Sequence, residues 1–108
     1  MMKSAAEFKE LYAAKTPISR RMSGRAQQVF PAGVVANVKY FAPYPLFMQR
    51  AGGSHLWDVD GNEYIDYCLA FGPLILGHGH PAIVKAVTDS FGTLGTTIFG
   101  TPNELEIR

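Results

Sequence analysis

The stretch from Leu56 to Pro81, LWDVDGNEYIDYCLAFGPLILGHGHP, constrains the fold more than any other part of this 108-residue chain. Its alternating apolar residues are interrupted by the turn pair Asp60-Gly61, which predicts an antiparallel hairpin. A Gly-Pro bend follows, and Pro81 then stands where the first residue of a helix commonly lies. Strands that are followed by a helix, rather than alternating with helices, indicate an α+β fold.

The hairpin belongs to a predicted antiparallel meander of three strands. These strands cover residues 46–50, 54–59 and 62–69. A two-residue turn would set Asp58 opposite Glu63, and like charges that face each other across two strands are unfavourable. We therefore predict a three-residue loop, residues 60–62, which places Glu63 opposite Val59. Residues 74–76, beyond the bend, are predicted to be a buried strand or connector.

Helical spacing is found on both sides of the meander. Ser4 and Glu7 have the spacing of a capping box, and we predict a helix over residues 5–14 that Pro17 stops. Both this helix and the next are expected to be amphipathic. The second covers residues 19–29, with Met22, Ala26 and Val29 directed toward a core.

The C-terminal part is predicted to contain a helix over residues 81–94, whose end Gly92 and Gly95 would loosen. Asn103 is suited to cap a further helix that starts at Glu104. The chain therefore divides into a helical arm, a loop, the meander with its bend, and a last helical part. The corresponding ranges are 1–30, 31–45, 46–80 and 81–108.

Charge and cysteine usage exclude several classes of protein. The formal net charge is +1 and the charged residues are interspersed, so neither a nucleic-acid footprint nor a membrane-binding basic segment is indicated. Cys68 is the only cysteine, which rules out an intrachain disulfide and favours a cytoplasmic protein. We predict that Cys68 is a small buried residue of the third strand.

The acidic and histidine residues of the meander and bend are interpreted as structural. Asp58, Asp60 and Asp66 lack the glutamate that a calcium loop needs, and we predict that they accept hydrogen bonds at turns and strand ends. His78 and His80 have no further ligand at suitable spacing, so no metal site is predicted. Their ring nitrogens are expected to form local hydrogen bonds with the backbone.

Three segments together carry a resemblance to a known family. They are FPAGV at residues 30–34, the stretch from Leu56 to Pro81, and FGTPNELE at residues 99–106. This pattern resembles the start of the class III pyridoxal-phosphate aminotransferases, above all the glutamate-1-semialdehyde 2,1-aminomutases and related aminotransferases, over roughly residues 18–108. The resemblance implies the N-terminal part of a fold-type I enzyme that uses pyridoxal 5'-phosphate, acts on a small amino acid or amine, and is a homodimer when complete.

The resemblance also implies three substrate-binding positions. In the aminomutases the loop reads PGGVNSPVRAF, and its serine and arginine correspond to Ala36 and Lys39 here. Their SWGP bend corresponds to Ala70–Pro73, so Phe71 replaces the tryptophan. Because an ammonium does not reproduce the two-pronged geometry of a guanidinium, these departures favour a general aminotransferase over a strict aminomutase.

The catalytic residues of the family are not expected in this chain. None of its lysines lies in a segment that resembles the one around the family's Schiff-base lysine; they are Lys3, Lys9, Lys15, Lys39 and Lys85. We therefore expect an N-terminal portion without the large cofactor-binding domain, which neither binds the cofactor covalently nor catalyses alone. The alternatives are the aminomutase proper and, from another class, a non-catalytic docking module or remnant.

Overall fold

Three α-helices and a three-stranded antiparallel sheet form the regular structure of a computed structural model that describes residues 4–107. The helices are α1 (Ala5–Lys15), α2 (Pro17–Ala26) and α3 (Pro81–Leu94). The strands are β1 (Met48–Gly52), β2 (His55–Asp58) and β3 (Glu63–Ile65), in the order β1-β2-β3. Short 3₁₀ turns lie at Pro31–Gly33, Asn37–Lys39, Leu69–Phe71 and Glu104–Glu106. The predicted α+β fold, with its helical arm, meander and following helix, is confirmed.

The first two helices meet at Thr16 and not at a loop. The predicted capping box is present, because the Ser4 hydroxyl accepts a hydrogen bond from the Glu7 amide and the Glu7 carboxylate accepts one from the Ser4 amide. Thr16 is both the C-cap of α1 and the N-cap of α2, and its backbone is non-helical (φ −133°, ψ 47°). Pro17 therefore ends one helix and begins the next, since its missing N–H is not needed at the first helical position.

The apolar faces predicted for the two arm helices are only partly covered. No residue of α1 is buried. In α2, Met22 and Ala26 are half-buried, but α2 ends at Ala26, and Val29 is 71% exposed. The prediction for Val29 was wrong, because residues beyond the helix end no longer follow its helical face.

The meander has a register that differs from the prediction. Trp57 pairs with Glu63 and His55 with Ile65, so the loop between β2 and β3 consists of residues 59–61 instead of 60–62. The Asp58 amide closes this loop by donating to the Asn62 carbonyl at 3.0 Å. The observed pairing differs from the predicted one by two residues, so each side chain of the two strands keeps the face that the alternation predicts.

The third strand is shorter than predicted and ends at Ile65. The Asp66 carboxylate accepts hydrogen bonds from the amides of Cys68 and Leu69 at 2.8 and 3.1 Å, which turns the chain out of the sheet. Cys68 is consequently exposed and lies outside the sheet, contrary to the prediction. Residues 74–76 were also predicted to be buried, but they form turns, with Ile75 81% exposed.

Helix α3 has the bounds that the sequence predicts. Gly95 does not loosen its end: it caps the helix in the left-handed conformation (φ 74°), which glycine adopts without steric cost. Lys85 and Asp89 form an i, i+4 ion pair at 2.6 Å on the polar side. After it, Asn103 precedes a single 3₁₀ turn where an α-helix was predicted.

The buried centre lies where α1, α2 and the loop that ends β2 meet. Among the described residues, the buried apolar side chains are those of Tyr44 and Pro45. Most of the other buried residues are polar: Thr16, Ser19, Ser23, Asp58 and Asp66. The Asp60 carboxylate accepts hydrogen bonds from the amides of Ile18 and Ser19 at 2.6 and 2.9 Å, so it holds the start of α2 against the meander. None of the helices in residues 4–107 has both the length and the apolar character that crossing a bilayer requires.

Candidate functional site

The loop that follows the helical arm borders an open cavity of about 900 Å³. It is lined chiefly by apolar side chains from the arm, the loop and β1, among them Phe30, Val34, Val38, Phe41 and Phe47. Lys39 and Phe71 both lie in its wall, although they are 32 positions apart in the sequence. Ala36, the third predicted position, is half-buried and is not part of the wall.

Tyr44 anchors the far end of this loop to α1. The Tyr12 hydroxyl donates to the Tyr44 carbonyl at 2.7 Å, and the hydroxyls of Thr16 and Tyr44 are 3.0 Å apart. The two tyrosine rings also contact each other, with centroids 5.0 Å apart. Burial is the main reason why the pKa of Tyr12 lies above its ordinary value, and the neighbouring Tyr44 raises it further. The Tyr12 hydroxyl therefore stays protonated and can donate. The end of the loop at Tyr44 is thus held against α1, although the loop contains neither an α-helix nor a strand.

Lys39 is the single cationic residue among the described residues that line the cavity. It is the last residue of the 3₁₀ turn Asn37–Lys39, which is closed by a hydrogen bond from the Tyr40 amide to the Asn37 carbonyl. The wall, as far as the structure describes it, contains no carboxylate. An ammonium at the edge of an apolar cavity can attract an anionic group of a ligand, while the rest of the wall suits apolar atoms.

Phe71 reaches the cavity from the turn that follows β3. Leu69, Ala70 and Phe71 have φ of 48°, 52° and 64°, which is a run of three non-glycine residues in the left-handed region. Such a run is unfavourable for L-residues and persists only where surrounding contacts impose it. Cys68 lies in the same wall and brings its thiol to the cavity.

A side-chain pair joins the two ends of this turn segment. The Asp66 carboxylate lies 2.6 Å from His78 Nε2. The bond to His78, followed by the Leu69 amide, holds the pKa of Asp66 below its ordinary value of 3.8. The prediction that His78 bonds only the local backbone was wrong, because the bend brings its ring back to the end of β3.

His80 also departs from the prediction. Its Nδ1 is buried and has no hydrogen-bond partner among the described residues, whereas a bond to the local backbone was expected. His80 is the residue before α3, and its extended backbone (φ −57°, ψ 125°) is the conformation that a following proline favours. Within residues 4–107 no three side chains of the histidine, cysteine and acidic types come together as metal ligands.

The structural interpretation of the three aspartates is confirmed. Asp58 is fully buried and accepts four hydrogen bonds, two of them from the Asn62 amide and side chain at 2.8 Å each and one from the Tyr64 hydroxyl at 2.9 Å. Burial and the bond to Asp58 raise the pKa of Tyr64 to about 12. Burial alone would raise the pKa of Asp60, but bonds from Ile18 and Ser19 outweigh it and lower that pKa.

Sequence reasoning missed two components of this region. Cys68 was assigned to a strand because it continues the alternation, and only the early end of β3 moves it to the cavity wall. The contact between Asp66 and His78 joins residues twelve positions apart, and no local pattern in the sequence predicts it.

The geometry can be compared with known proteins. A model of the family "Aminotransferase class-III" matches residues 36–107. The glutamate-1-semialdehyde 2,1-aminomutase of Methanocella arvoryzae is 49% identical over 90 residues, which are 83% of this chain and 21% of that protein. This chain therefore spans about a fifth of the length of that relative.

Solved structures agree with this match. The β-phenylalanine aminotransferase of Variovorax paradoxus superposes with a TM-score of 0.81 and 29% identity, over 94% of this chain and 23% of that one. A structure described as a transaminase with PLP bound gives a TM-score of 0.73 and 36% identity, over 85% of this chain and 21% of that one. The sequence match, the superposed fold and the matched cavity segment lead to one conclusion: the chain belongs to the class III aminotransferase family.

Proposed function

We propose that this chain forms part of the substrate pocket of a pyridoxal-phosphate-dependent class III aminotransferase. The complete enzyme would move an amino group between an amino acid or amine and a keto or aldehyde acceptor. The observation that carries the proposal is the cavity that joins Lys39 and Phe71, since both positions lie in the segment that the family model matches.

The described residues do not by themselves fit the cofactor. A pyridoxal phosphate site needs a lysine for the Schiff base, an anion-binding group for the phosphate and commonly a carboxylate near the pyridine nitrogen. The described cavity wall has Lys39 as its one lysine and contains no carboxylate. We therefore assign to these residues the binding and orientation of substrate, and we predict that the chain alone neither binds the cofactor covalently nor catalyses.

Lys39 is proposed to bind an anionic group of the substrate. Its ammonium is exposed at the edge of an apolar wall, where a carboxylate would face no acidic residue of that wall. Phe71 would then cover the apolar part of the substrate. Ala36 is not in the wall, so a role for it would be indirect: its half-buried methyl group lies one residue before the turn that carries Lys39.

A second candidate is the glutamate-1-semialdehyde 2,1-aminomutase itself. The relative from Methanocella arvoryzae bears that name and is 49% identical, which favours it. The replacements at Ala36, Lys39 and Phe71 favour the broader aminotransferase, because each removes or changes a polar group that the aminomutase pattern carries at that position.

A non-catalytic docking module is the rival from another class. The exposed apolar face of α3, with Ile83, Val84, Val87 and Phe91, would suit docking on a separate protein. The same face would equally suit contact with the remaining part of the complete enzyme. For the complete enzyme we propose a cytoplasmic location, because a reducing compartment keeps an exposed thiol such as that of Cys68 reduced. We also propose a homodimer, which is what the family resemblance implies.

The function can be tested in a chimera. Residues 18–107 of this chain would replace the matching region of the Methanocella arvoryzae protein, and amino transfer would be measured with several amino donors and with glutamate 1-semialdehyde. Activity toward general amino donors supports the aminotransferase, and activity restricted to the semialdehyde favours the aminomutase. A folded, cofactor-loaded chimera without either activity would contradict the proposal and favour the docking module.

Lys39→Ala in the active chimera tests the role of the ammonium. Loss of a charge-assisted contact should raise KM for an amino-acid substrate about tenfold or more, and leave KM for an amine without a carboxylate nearly unchanged. Lys85→Ala is the matched control, because Lys85 is exposed and ion-paired with Asp89 on α3. Equal losses for both substrates would exclude carboxylate binding by Lys39.

A further inference from the structure

The segment between β3 and α3 contributes Cys68 and Phe71 to the cavity wall but has almost no packing of its own. No side chain of residues 67–77 is buried, and Phe71 is 72% exposed. Hydrogen bonds inside the segment join near neighbours, such as the Phe71 amide to the Cys68 carbonyl at 2.8 Å. The course of this segment must therefore be imposed at its two ends.

At the first end, Asp66 is fixed to the sheet and to the segment simultaneously. Its amide donates to the Ser54 carbonyl at 2.8 Å. Its Oδ1 accepts from the amides of Cys68 and Leu69, and its Oδ2 lies 2.6 Å from His78 Nε2. With both oxygens engaged, the carboxylate determines the direction in which the chain leaves β3.

At the second end, His78 is held by its backbone as well as by its ring. Its amide and carbonyl form two hydrogen bonds with Gly53, at 2.8 and 2.9 Å. The chain passes so close to the β1–β2 turn that a Cβ on Gly77 would lie 2.8 Å from the Gly53 carbonyl oxygen. Gly77 also has φ of 81°, so glycine is required here for two reasons.

We propose that Asp66 and His78 form a positioning clamp that holds residues 67–77, and with them Phe71, against the wall of the cavity. The left-handed run at residues 69–71 supports this, because unfavourable backbone conformations relax when the contacts that impose them are removed. The two residues act through Phe71 and do not themselves line the cavity. The consequence for substrate binding rests on the proposed function, whereas the holding of the segment does not.

Limited proteolysis of the folded chimera tests whether Asp66 and His78 hold residues 67–77 in place. Chymotrypsin cleavage within residues 67–77, mapped by mass spectrometry, reports how often the segment opens. His78→Leu removes the bond to Asp66 and should raise the cleavage rate about tenfold. His78→Gln keeps an N–H donor and should restore most of the protection.

Two controls separate the clamp from a general loss of stability. Cleavage after Phe41, an exposed residue of the loop before β1, serves as a reference within the same molecule. His55→Leu removes the exposed contact of 3.8 Å to Glu63 and should leave cleavage in residues 67–77 unchanged. If His78→Leu fails to fold, Gly77→Ala disturbs the same attachment through the backbone and should give the same selective increase. Equal cleavage of residues 67–77 in wild type, His78→Leu and Gly77→Ala would overturn the clamp.

The chimera tests the effect on the pocket. His78→Leu should raise KM for substrate more than it lowers kcat, with recovery in His78→Gln and an unchanged melting temperature. Faster cleavage with unchanged KM would overturn the positioning role. If the wild-type chimera has no transferase activity, the proposed function fails, while the proteolysis result still decides whether the clamp exists.

Discussion

At the scale of single residues, the buried carboxylates organise this structure more than apolar side chains do. Asp58 is fully buried, yet its four hydrogen bonds satisfy both carboxylate oxygens. A buried charge without such partners would be strongly destabilising. The turn after β2 is therefore specified by hydrogen bonding around one carboxylate.

Tyr64 provides a test of this turn that depends on pH. Its pKa is about 12 in the folded chain, compared with 10.0 ordinarily. Below pH 10 the tyrosine is protonated in the folded and unfolded states; between pH 10 and about 12 only the unfolded state ionises, so stability should fall as pH rises through this window.

Tyr64→Phe should lower the free energy of unfolding at neutral pH by about 1 kcal/mol, because the hydroxyl bond to Asp58 is lost. It should also reduce the fall of the unfolding free energy with rising pH. The part that remains comes from Tyr12, whose pKa is raised as well. Urea unfolding of the chimera, extended at its start to include Tyr12, measures both effects at several pH values. Tyr40→Phe, at an exposed position, is the control. If the unfolding free energy falls equally steeply above pH 10 in wild type and Tyr64→Phe, the raised pKa of Tyr64 does not cause the fall.

At the scale of elements, α3 is the part whose bounds follow most directly from local signals. Pro81 begins the helix and Gly95 ends it in the left-handed conformation. Its apolar residues are exposed in this chain, so packing contributes little to where it starts and stops. Local capping is sufficient to explain the agreement between prediction and structure.

Two glycines of α3 should respond oppositely to the same substitution. Gly95→Ala places a Cβ in the left-handed region and should destabilise the helix end by about 1 kcal/mol. Gly92 lies inside the helix with open space around it, so Gly92→Ala should stabilise α3 by up to about 1 kcal/mol through helix propensity. Amide hydrogen exchange along α3 measures both changes. Effects of the same sign would show that Gly95 does not cap the helix.

At the scale of the whole molecule, the residues that the structure describes do not close an apolar core of their own. Its radius of gyration is 18.1 Å, whereas about 13 Å is typical of a compact domain of this length. Large apolar side chains remain exposed on the arm, the loop and α3. These surfaces are the kind that other protein surfaces cover.

The isolated chain should therefore behave as an incompletely packed protein. We expect strong binding of a fluorescent apolar dye and a broad thermal transition, because little apolar area is buried cooperatively. In the chimera the same residues should melt in one sharp transition with weak dye binding. Calorimetry and dye titration of both proteins provide the comparison, and a sharp transition of the isolated chain without dye binding would contradict this expectation.

Local physics explains which predictions succeeded. The capping box at Ser4 and Glu7, the proline start of α3 and the turn-forming aspartates depend on neighbours within a few residues, so they can be inferred from sequence. The strand count followed from alternation and turn pairs. Lys39 and Phe71 came from family resemblance, and the cavity that they share was visible only in the folded chain.

Tertiary contacts decided the remainder. The register at Trp57 and Glu63 depends on the bonds that Asp58 forms across the turn, and a pattern of alternation cannot distinguish pairings that differ by two residues. The early end of β3 and the exposure of Cys68 depend on where the Asp66 carboxylate directs the chain. The exclusion of Ala36 from the cavity depends on the course of the loop before β1. The sequence by itself determined the order of the main helices and strands, since these depend on local spacing and turn residues. The tertiary structure decided where β3 ends and how the bend runs, because the Asp66–His78 contact joins residues that only the folded chain brings together.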